Sequence, residues 1–336
     1  MAGSGRATLE DVARLAGVSR ATASRAVRGG ELVSAANREA VRRAVADLGY
    51  VPNQAARSLV TRRTDTIAVV VPEPDARIFS DPFFAATIAG VADVLEDTPK
   101  QIVLLIRSRG GGNERLLGYL EGDHVDGVVV VSHHREDHLT DLIARSGLPA
   151  AFVGRPFSSL GELQYVDVDN RMGGRMAAEY LVSTGARTIA TISGPLDMSA
   201  ALDRLEGWRE ALLDAGLDPS IQYEGDFTMG SARRIAARLL AEHPEVDAIF
   251  AASDLMASGV LSVARAVGRD VPGDLRVVGF DDGPVAPDTD PPLTTRTNPG
   301  RELAVAATRM VLSQLDRQEY RAPVILRPRL VIRGSA

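Results

Sequence analysis

The sequence predicts a two-part α/β protein, with a small all-α head ahead of a large body in which parallel strands alternate with helices. Three observations predict it. Charge is segregated, because residues 1–64 hold 11 arginines against 5 acidic residues while the 336-residue chain has a net charge of −6. Within that basic stretch, apolar residues recur at helical spacing between N-cap and glycine stop signals. From Thr66 onward, purely apolar runs recur, each followed by a helical pattern, as doubly wound parallel sheets require.

Composition bounds the rest. A chain that is 45% hydrophobic buries large cores, and its length suggests two or three domains. No run approaches the roughly 18 apolar residues of a membrane span. The start, MAGSGRATLEDVARLAG, lacks the apolar segment of a secretory signal, so a cytoplasmic protein with no membrane partner is expected. With 0 cysteines there is no disulfide framework, thiol nucleophile or thiolate metal site. Beyond residue 64 the charge reverses, to 27 basic against 39 acidic groups. A basic head on an acidic body fits a phosphate-binding module joined to a different kind of domain. Charge alone also fits a merely solvated basic helix surface.

In the head, Thr8 and Asp11 form a capping-box pattern before Leu9, Val12, Ala13 and Ala16, one apolar helical face. Gly17 suits a left-handed stop, and Ser19 can cap a second helix with Thr22, Ala23, Ala26 and Val27 inward. Two helices joined so tightly form a helix-turn-helix. A third helix fits Ser34 as cap, Val41, Val45 and Leu48 inward, Arg38, Arg42 and Arg43 outward, and Gly49 as stop. The second helix of such a motif enters the major groove, which singles out Arg20, Ala21, Ser24 and Arg25. Arginine pairs two donors with guanine O6 and N7, whereas Ser19, Thr22 and Ser24 either hold phosphates or cap and pack.

The blocks TLEDVARLAGVSRATASRAV and VSAANREAVRRAVADLGYVPNQAARSL, at their preserved spacing, resemble the lactose-repressor (LacI/GalR) family of bacterial regulators. The resemblance implies that Arg20 and Ala21 choose the operator sequence and that Arg25 reads a base. The expected DNA contacts are Thr8, Ser19, Arg20, Ala21, Thr22, Ser24, Arg25, Ser34, Asn37, Asn53, Ala56, Arg57 and Leu59. After Pro52-Asn53, QAARSLVTRRTD allows a helix of only about two turns, too short to stand alone in water. By the resemblance it folds on the operator, where Leu59 wedges between central base pairs from the minor groove and Ala56 allows close approach of the two hinge helices of a homodimer. Such a wedge favours an easily unstacked step, so a palindromic operator with a central CG step is expected. The alternative is that Leu59 packs in an ordinary linker.

In the body, IAVVVP, QIVLLI, VDGVVVV, AAFVGR, TIATISG, AIFAAS and LRVVGFD read as strands. Their number calls for two subdomains with a ligand between them. The resemblance implies the periplasmic-binding-protein type I architecture, an effector domain of two doubly wound α/β subdomains with three crossings. The expected organisation is a helix-turn-helix domain at 1–52, a hinge at 53–65, and an effector-binding and dimerisation domain at 66–336. Within the last, 66–165 and 297–322 form the first subdomain, 166–296 and 323–333 the second.

Ligands of open α/β sheets sit at the carboxyl ends of strands. Phe84 of DPFF, Arg155 after a strand, Arg204 of DRLEGW, Phe227 of GDF, Asp254 of SDL and Asp281 of FDD are the candidates there. Phe227 can stack on a sugar or base, Arg204 offers a fork of donors and Asp281 accepts. Phe84, Arg204, Phe227 and Asp281 coincide with the family's effector contacts. Phe84 could instead be helix-start core, Asp281 a loop cap and Asp254 the start of a helix. Arg155 replaces an acidic residue of some relatives and could meet an anionic effector. His133, His134 and His138 follow a strand end and are not read as a metal site, Gly110-Gly111-Gly112 lacks a P-loop's Lys-Ser/Thr, and Trp208 is read as core.

These features predict a DNA-binding transcriptional regulator, a repressor of carbohydrate-utilisation genes released by a sugar. The alternative is a corepressor-dependent regulator answering to a nucleobase or phosphorylated metabolite. No cofactor is implied. An enzyme would need a nucleotide fingerprint or a nucleophile–base constellation, and a periplasmic binding protein an export signal.

Overall fold

The computed structural model describes residues 7–27, 29, 32–51, 63–106, 113–157, 163–317 and 322–336. The hinge candidates Asn53, Ala56, Arg57 and Leu59 and the glycine run at 110–112 lie outside the described residues. The chain divides into two compact units, Met1–Thr64 and Asp65–Ala336.

Among the described residues the first unit holds three helices, α1 (Leu9–Leu15), α2 (Arg20–Val27) and α3 (Ala35–Leu48). Thr8 and Asp11 close a capping box, so two otherwise unpaired backbone donors are satisfied where α1 begins. Gly17 adopts φ 66° after α1, and Gly49 adopts φ 57° after α3, conformations that cost a side-chain-bearing residue dearly. Ser19 Oγ accepts from Thr22 N at 3.1 Å and Ser34 Oγ from Asn37 N at 3.3 Å, which starts the other two helices. Val12, Ala13, Ala23, Val41 and Ala44 form the core. Ala44, one turn beyond Val41, takes the buried place, and Val45 and Leu48 pack half-buried beside it.

In the second unit, strands β1 (Thr66–Val71), β2 (Gln101–Ile106), β3 (Gly127–Val131), β4 (Ala150–Val153) and β5 (Gln164–Val168) precede β6 (Ile189–Ser193), β7 (Gln222–Glu224), β8 (Ala248–Ala251) and β9 (Arg276–Val278). The chain ends with β10 (Thr295–Arg296), β11 (Val324–Leu326) and β12 (Leu330–Val331). One parallel sheet has the order β11-β5-β4-β3-β1-β2 and a second β7-β6-β8-β9, while β10 and β12 pair antiparallel. The helices are α4 (Asp75–Ser80), α5 (Pro82–Leu95), α6 (Asn113–Glu121), α7 (Leu139–Ser146), α8 (Asn170–Ser183), α9 (Ser199–Asp214), α10 (Met229–Glu242), α11 (Asp254–Ala266), α12 (Val285–Asp288) and α13 (Gly300–Leu315).

Each sheet is covered on both faces, which is why the inner strands β3, β4 and β8 are apolar throughout rather than alternating. Ile67, Val69 and Val71 pack with α5 and α13, and Ala68 and Val70 with α6 and α7 on the reverse. In the second half, α10 and α11 cover one face and α8 and α9 the other, with Trp208 fully buried among the latter.

The chain passes between the halves three times, after β5, after β10 and after β11. These passes are laced together, since Asp169 N donates to Leu326 O at 2.8 Å and Thr297 N to Arg329 O at 2.9 Å. The expected partition of the halves needs correction. Val166–Val168 pairs with Val324–Leu326 inside the six-stranded sheet, so both segments belong to the first half and not the second. Apolar runs mark strands but not their sheet, and β11, with Ile325 48% exposed at an edge, carries no burial signal.

Candidate functional site

Helix α2 presents an exposed arginine-bearing face. Ser19, just before α2, and Arg20, Ala21 and Arg25 on it are exposed, while Thr22 and Ser24 are half-buried. The hydroxyls of Thr8, Ser19 and Ser34 cap helices, and Asn37 is exposed in the first turn of α3. Arg20 Nε meets Glu10 Oε1 at 2.9 Å with both side chains largely exposed, an ion pair worth at most about 1 kcal/mol, which a phosphate or guanine readily replaces. Arg25 Nε reaches Ala21 O at 3.3 Å, so its guanidinium lies along the outer face of the helix. This face matches an electrostatic footprint for DNA.

In the second unit, carboxyl ends of strands from both sheets converge on a cleft. An inner chamber of about 80 Å3 is lined by Arg77, Asp167, Asn170, Arg204 and Phe227, among others. An outer chamber of about 300 Å3 adjoins it, and Asp81, Phe83, Asp281 and Asn298 line both.

Arg204, on α9, is 5% exposed. Its Nε donates to Asn170 Oδ1 at 2.8 Å and its Nη1 to Ala252 O at 2.6 Å, while its Cζ lies 3.6 Å from the Phe280 ring centre. Burial pulls its pKa below the usual range against the opposing pull of Asp281, Asp167, Asp254 and Asp81. Asp281 lies at 4.0 Å from Arg204 Nη1 and accepts from Asn298 Nδ2 at 3.0 Å. Burial pushes Asp281 up to about 6 although Arg204 favours its charged form. Asp167 is likewise pushed up to about 6 by burial, in spite of the backbone donors of Arg155 and Val168. Phe227 holds φ 63° and Asp281 φ 124°, backbone strain of the kind that gathers at binding sites. A Cβ on Gly194 would overlap the Phe227 ring, so the glycine makes the space in which this aromatic lies.

Arg204, Phe227 and Asp281 are thus brought together. Phe84 is not on the cavity wall; it is 1% exposed in the core, and Phe83 faces the cleft in its place. Asp81 caps α5 through Phe83 N at 3.0 Å, and consecutive helical residues point about 100° apart, so one ring faces the sheet and the other the ligand space. Arg155 also needs correction as an anion contact. Its Nη2 holds both oxygens of Asp203 at 2.8 Å, tying the first half to the second. Asp254 lies on the outer chamber, where it accepts from Thr295 Oγ1 at 2.5 Å and Gly283 N at 2.8 Å and so fastens the loop that carries Asp281. His134 bridges Glu73 and Asp197, each at 2.8 Å, and His138 precedes α7. Among the described residues no group of three or more His, Asp or Glu side chains could hold a metal ion.

Arg77, Asp81, Asp167, Asn170 and Asn298 are cleft residues that sequence reasoning missed. Asp167 and Asn170 close β5 and open α8, and recognising QYVDV as a strand would have found them. Arg77 carried no local signal, because α4 brings it to the cleft only through tertiary packing.

A basic helix-turn-helix head joined to a cleft between doubly wound halves defines a DNA-binding transcriptional regulator with a small-molecule site. Residues 8–53 match the model for bacterial regulatory proteins of the lacI family, and 178–336 that for a periplasmic binding protein-like domain. The chain belongs to the lacI family of transcriptional regulators. It is 48% identical to the HTH-type transcriptional regulator CelR of Thermobifida fusca over 98% of both chains, and 32% identical to the ribose operon repressor of Halalkalibacterium halodurans, again over 98% of both. A solved CelR–cellobiose complex is 44% identical, with TM-score 0.78, over 98% of this chain and 100% of that one. The lac repressor dimer bound to operator and the anti-inducer ONPF is 28% identical, with TM-score 0.88, over 98% and 99%. These relatives are regulators and not enzymes, and the same holds for this chain. Among the described residues no helix is long and apolar enough to cross a membrane.

Proposed function

We propose that the chain is a dimeric, cytoplasmic repressor of carbohydrate-utilisation genes that leaves its operator when a neutral sugar fills the cleft. The observation that carries this reading is the acid surplus around the ligand space. Asp81, Asp167 and Asp281 line the inner chamber, and the arginines among its described lining residues already face carboxylates, Arg77 that of Glu73 and Arg204 that of Asp281. A phosphorylated effector would be repelled, whereas hydroxyls both donate to carboxylates and accept from guanidinium. Phe227 offers an aromatic face to an apolar sugar face. The cellobiose complex of a close relative makes β-linked disaccharides the first candidates.

At the DNA, the arginine face of α2 reads each half of a palindrome, and Leu59 of each hinge enters a central CG step. Retardation of such a duplex by the purified protein, titrated with cellobiose and other neutral sugars, tests the reading. Operator release at sugar levels that also raise the melting temperature is the expected result. Retention of the duplex at every sugar concentration refutes release by sugar, and operator affinity unchanged by Leu59→Ala refutes the wedge.

A further inference from the structure

Arg77 and His133 line the inner chamber, and neither belongs to a motif that marks a ligand contact. Arg77 Nη1 donates to Glu73 Oε1. The same oxygen takes Ser132 Oγ at 2.7 Å and His134 Nε2 at 2.8 Å, and Glu73 is 2% exposed. A buried, triply bonded carboxylate therefore anchors the guanidinium from behind. In front, Arg77 Cζ lies 5.1 Å from the Phe227 ring centre across the cleft and 5.6 Å from that of Phe84. No acceptor among the described residues takes its buried Nε–H.

His133 is 6% exposed and edge-on to Phe152. Its Nε2 lies 3.2 Å from Arg155 O, a carbonyl that can only accept, so the proton is on Nε2 and Nδ1 carries the lone pair. No donor among the described residues reaches that Nδ1. Burial holds the imidazole neutral by lowering its pKa to about 4.

We propose that Arg77 Nε–H and His133 Nδ1, both unpartnered among the described residues and closed off from solvent, turn to the effector when it binds, as a donor and an acceptor that together select a neutral polyhydroxy ligand. The proposal rests on the sugar-effector reading above. A hydroxyl serves both groups, since it accepts from an N–H and gives its own proton to a ring nitrogen. A phosphate or carboxylate satisfies Arg77 but brings negative charge against the lone pair of His133. The two residues thus account for selectivity that the acid surplus alone leaves coarse.

The test is calorimetric titration of the full-length protein with cellobiose and a panel of neutral sugars, for wild type, Arg77→Lys and His133→Gln. Lysine keeps the charge beside Glu73 but lacks the Nε–H, and glutamine keeps a donor for Arg155 O but lacks the Nδ1 acceptor. Each variant is expected to lose about tenfold in affinity, the scale of one lost buried hydrogen bond, at an unchanged melting temperature of the unliganded protein. Binding within twofold of wild type in either variant overturns that contact while the sugar reading stands. Affinity lost together with unliganded melting temperature assigns a packing role and overturns the contact as well. If wild type binds no neutral sugar, the sugar reading falls and takes this inference with it. Tighter binding of glucose 6-phosphate than of glucose overturns the selectivity argument.

Discussion

At the scale of single residues, charge and position together decide what each side chain does. Arg25 is exposed on the outer face of α2, with Ala21 one turn before it. Arg25→Ala is expected to weaken operator binding by about 1–3 kcal/mol and to relax preference at one base position, measured by competition among operator variants. An equal loss on every duplex would assign Arg25 to a phosphate. His134 makes a pH-dependent contribution to stability. Burial alone would lower its pKa, but Glu73 and Asp197 on its two nitrogens override that and raise it, because only the doubly protonated ring donates to both. A group with a raised folded pKa stabilises fully below its unfolded value and loses that contribution as pH rises through the folded one. His134→Gln should therefore cost more melting temperature at about pH 6 than at about pH 9. A gap independent of pH would mean that the ring is neutral throughout.

At the scale of elements, α8 and α9 pack backbone against backbone. A Cβ on Gly174 would overlap Arg204 O, and one on Gly207 would overlap Arg171 O. These helices also carry Asn170 and Arg204, which bond across the same seam. Gly207→Ala is expected to destabilise by about 1–3 kcal/mol and to weaken sugar binding, because the helices must part where the site is built. Denaturant unfolding and titration would read the two effects, and a stable variant with full affinity would contradict both. The sequence made some elements plain and hid others for the same physical reason. Seven strands are apolar-rich runs, from Ile67–Val71 to Val277–Val278, and were legible; all but the half-exposed edge strand β2 are largely buried. Strand β7 has three residues at an edge, β10 holds the fully buried Arg296, and β11 exposes its valine and isoleucine, so none shows an apolar period. The site divides likewise. Arg204, Phe227 and Asp281 follow strand ends or family motifs, whereas the exchange of Phe84 for Phe83 depends on where α5 starts, and the capture of Arg155 depends on Asp203 from a different half.

At the scale of the whole molecule, two ligands share one chain, and their couplings must be equal. If sugar weakens operator binding by some factor, operator weakens sugar binding by the same factor. Sugar affinity measured with and without a saturating operator duplex should therefore change by the factor seen in DNA retardation, and unequal factors would show that a further state or ligand takes part. The basic head adds a steep salt dependence, with log affinity falling about 0.9 per phosphate neutralised for each tenfold rise in salt. The three laced passes between the halves have a mechanical consequence. Three parallel straps bonded edge to edge resist twisting and sliding far more than folding along their common line, so the body keeps a single soft axis. A sugar bound as proposed, against Arg77 on one lip and Arg204 on the other, would then drive one and the same movement, and effectors of different shape would converge on one signal.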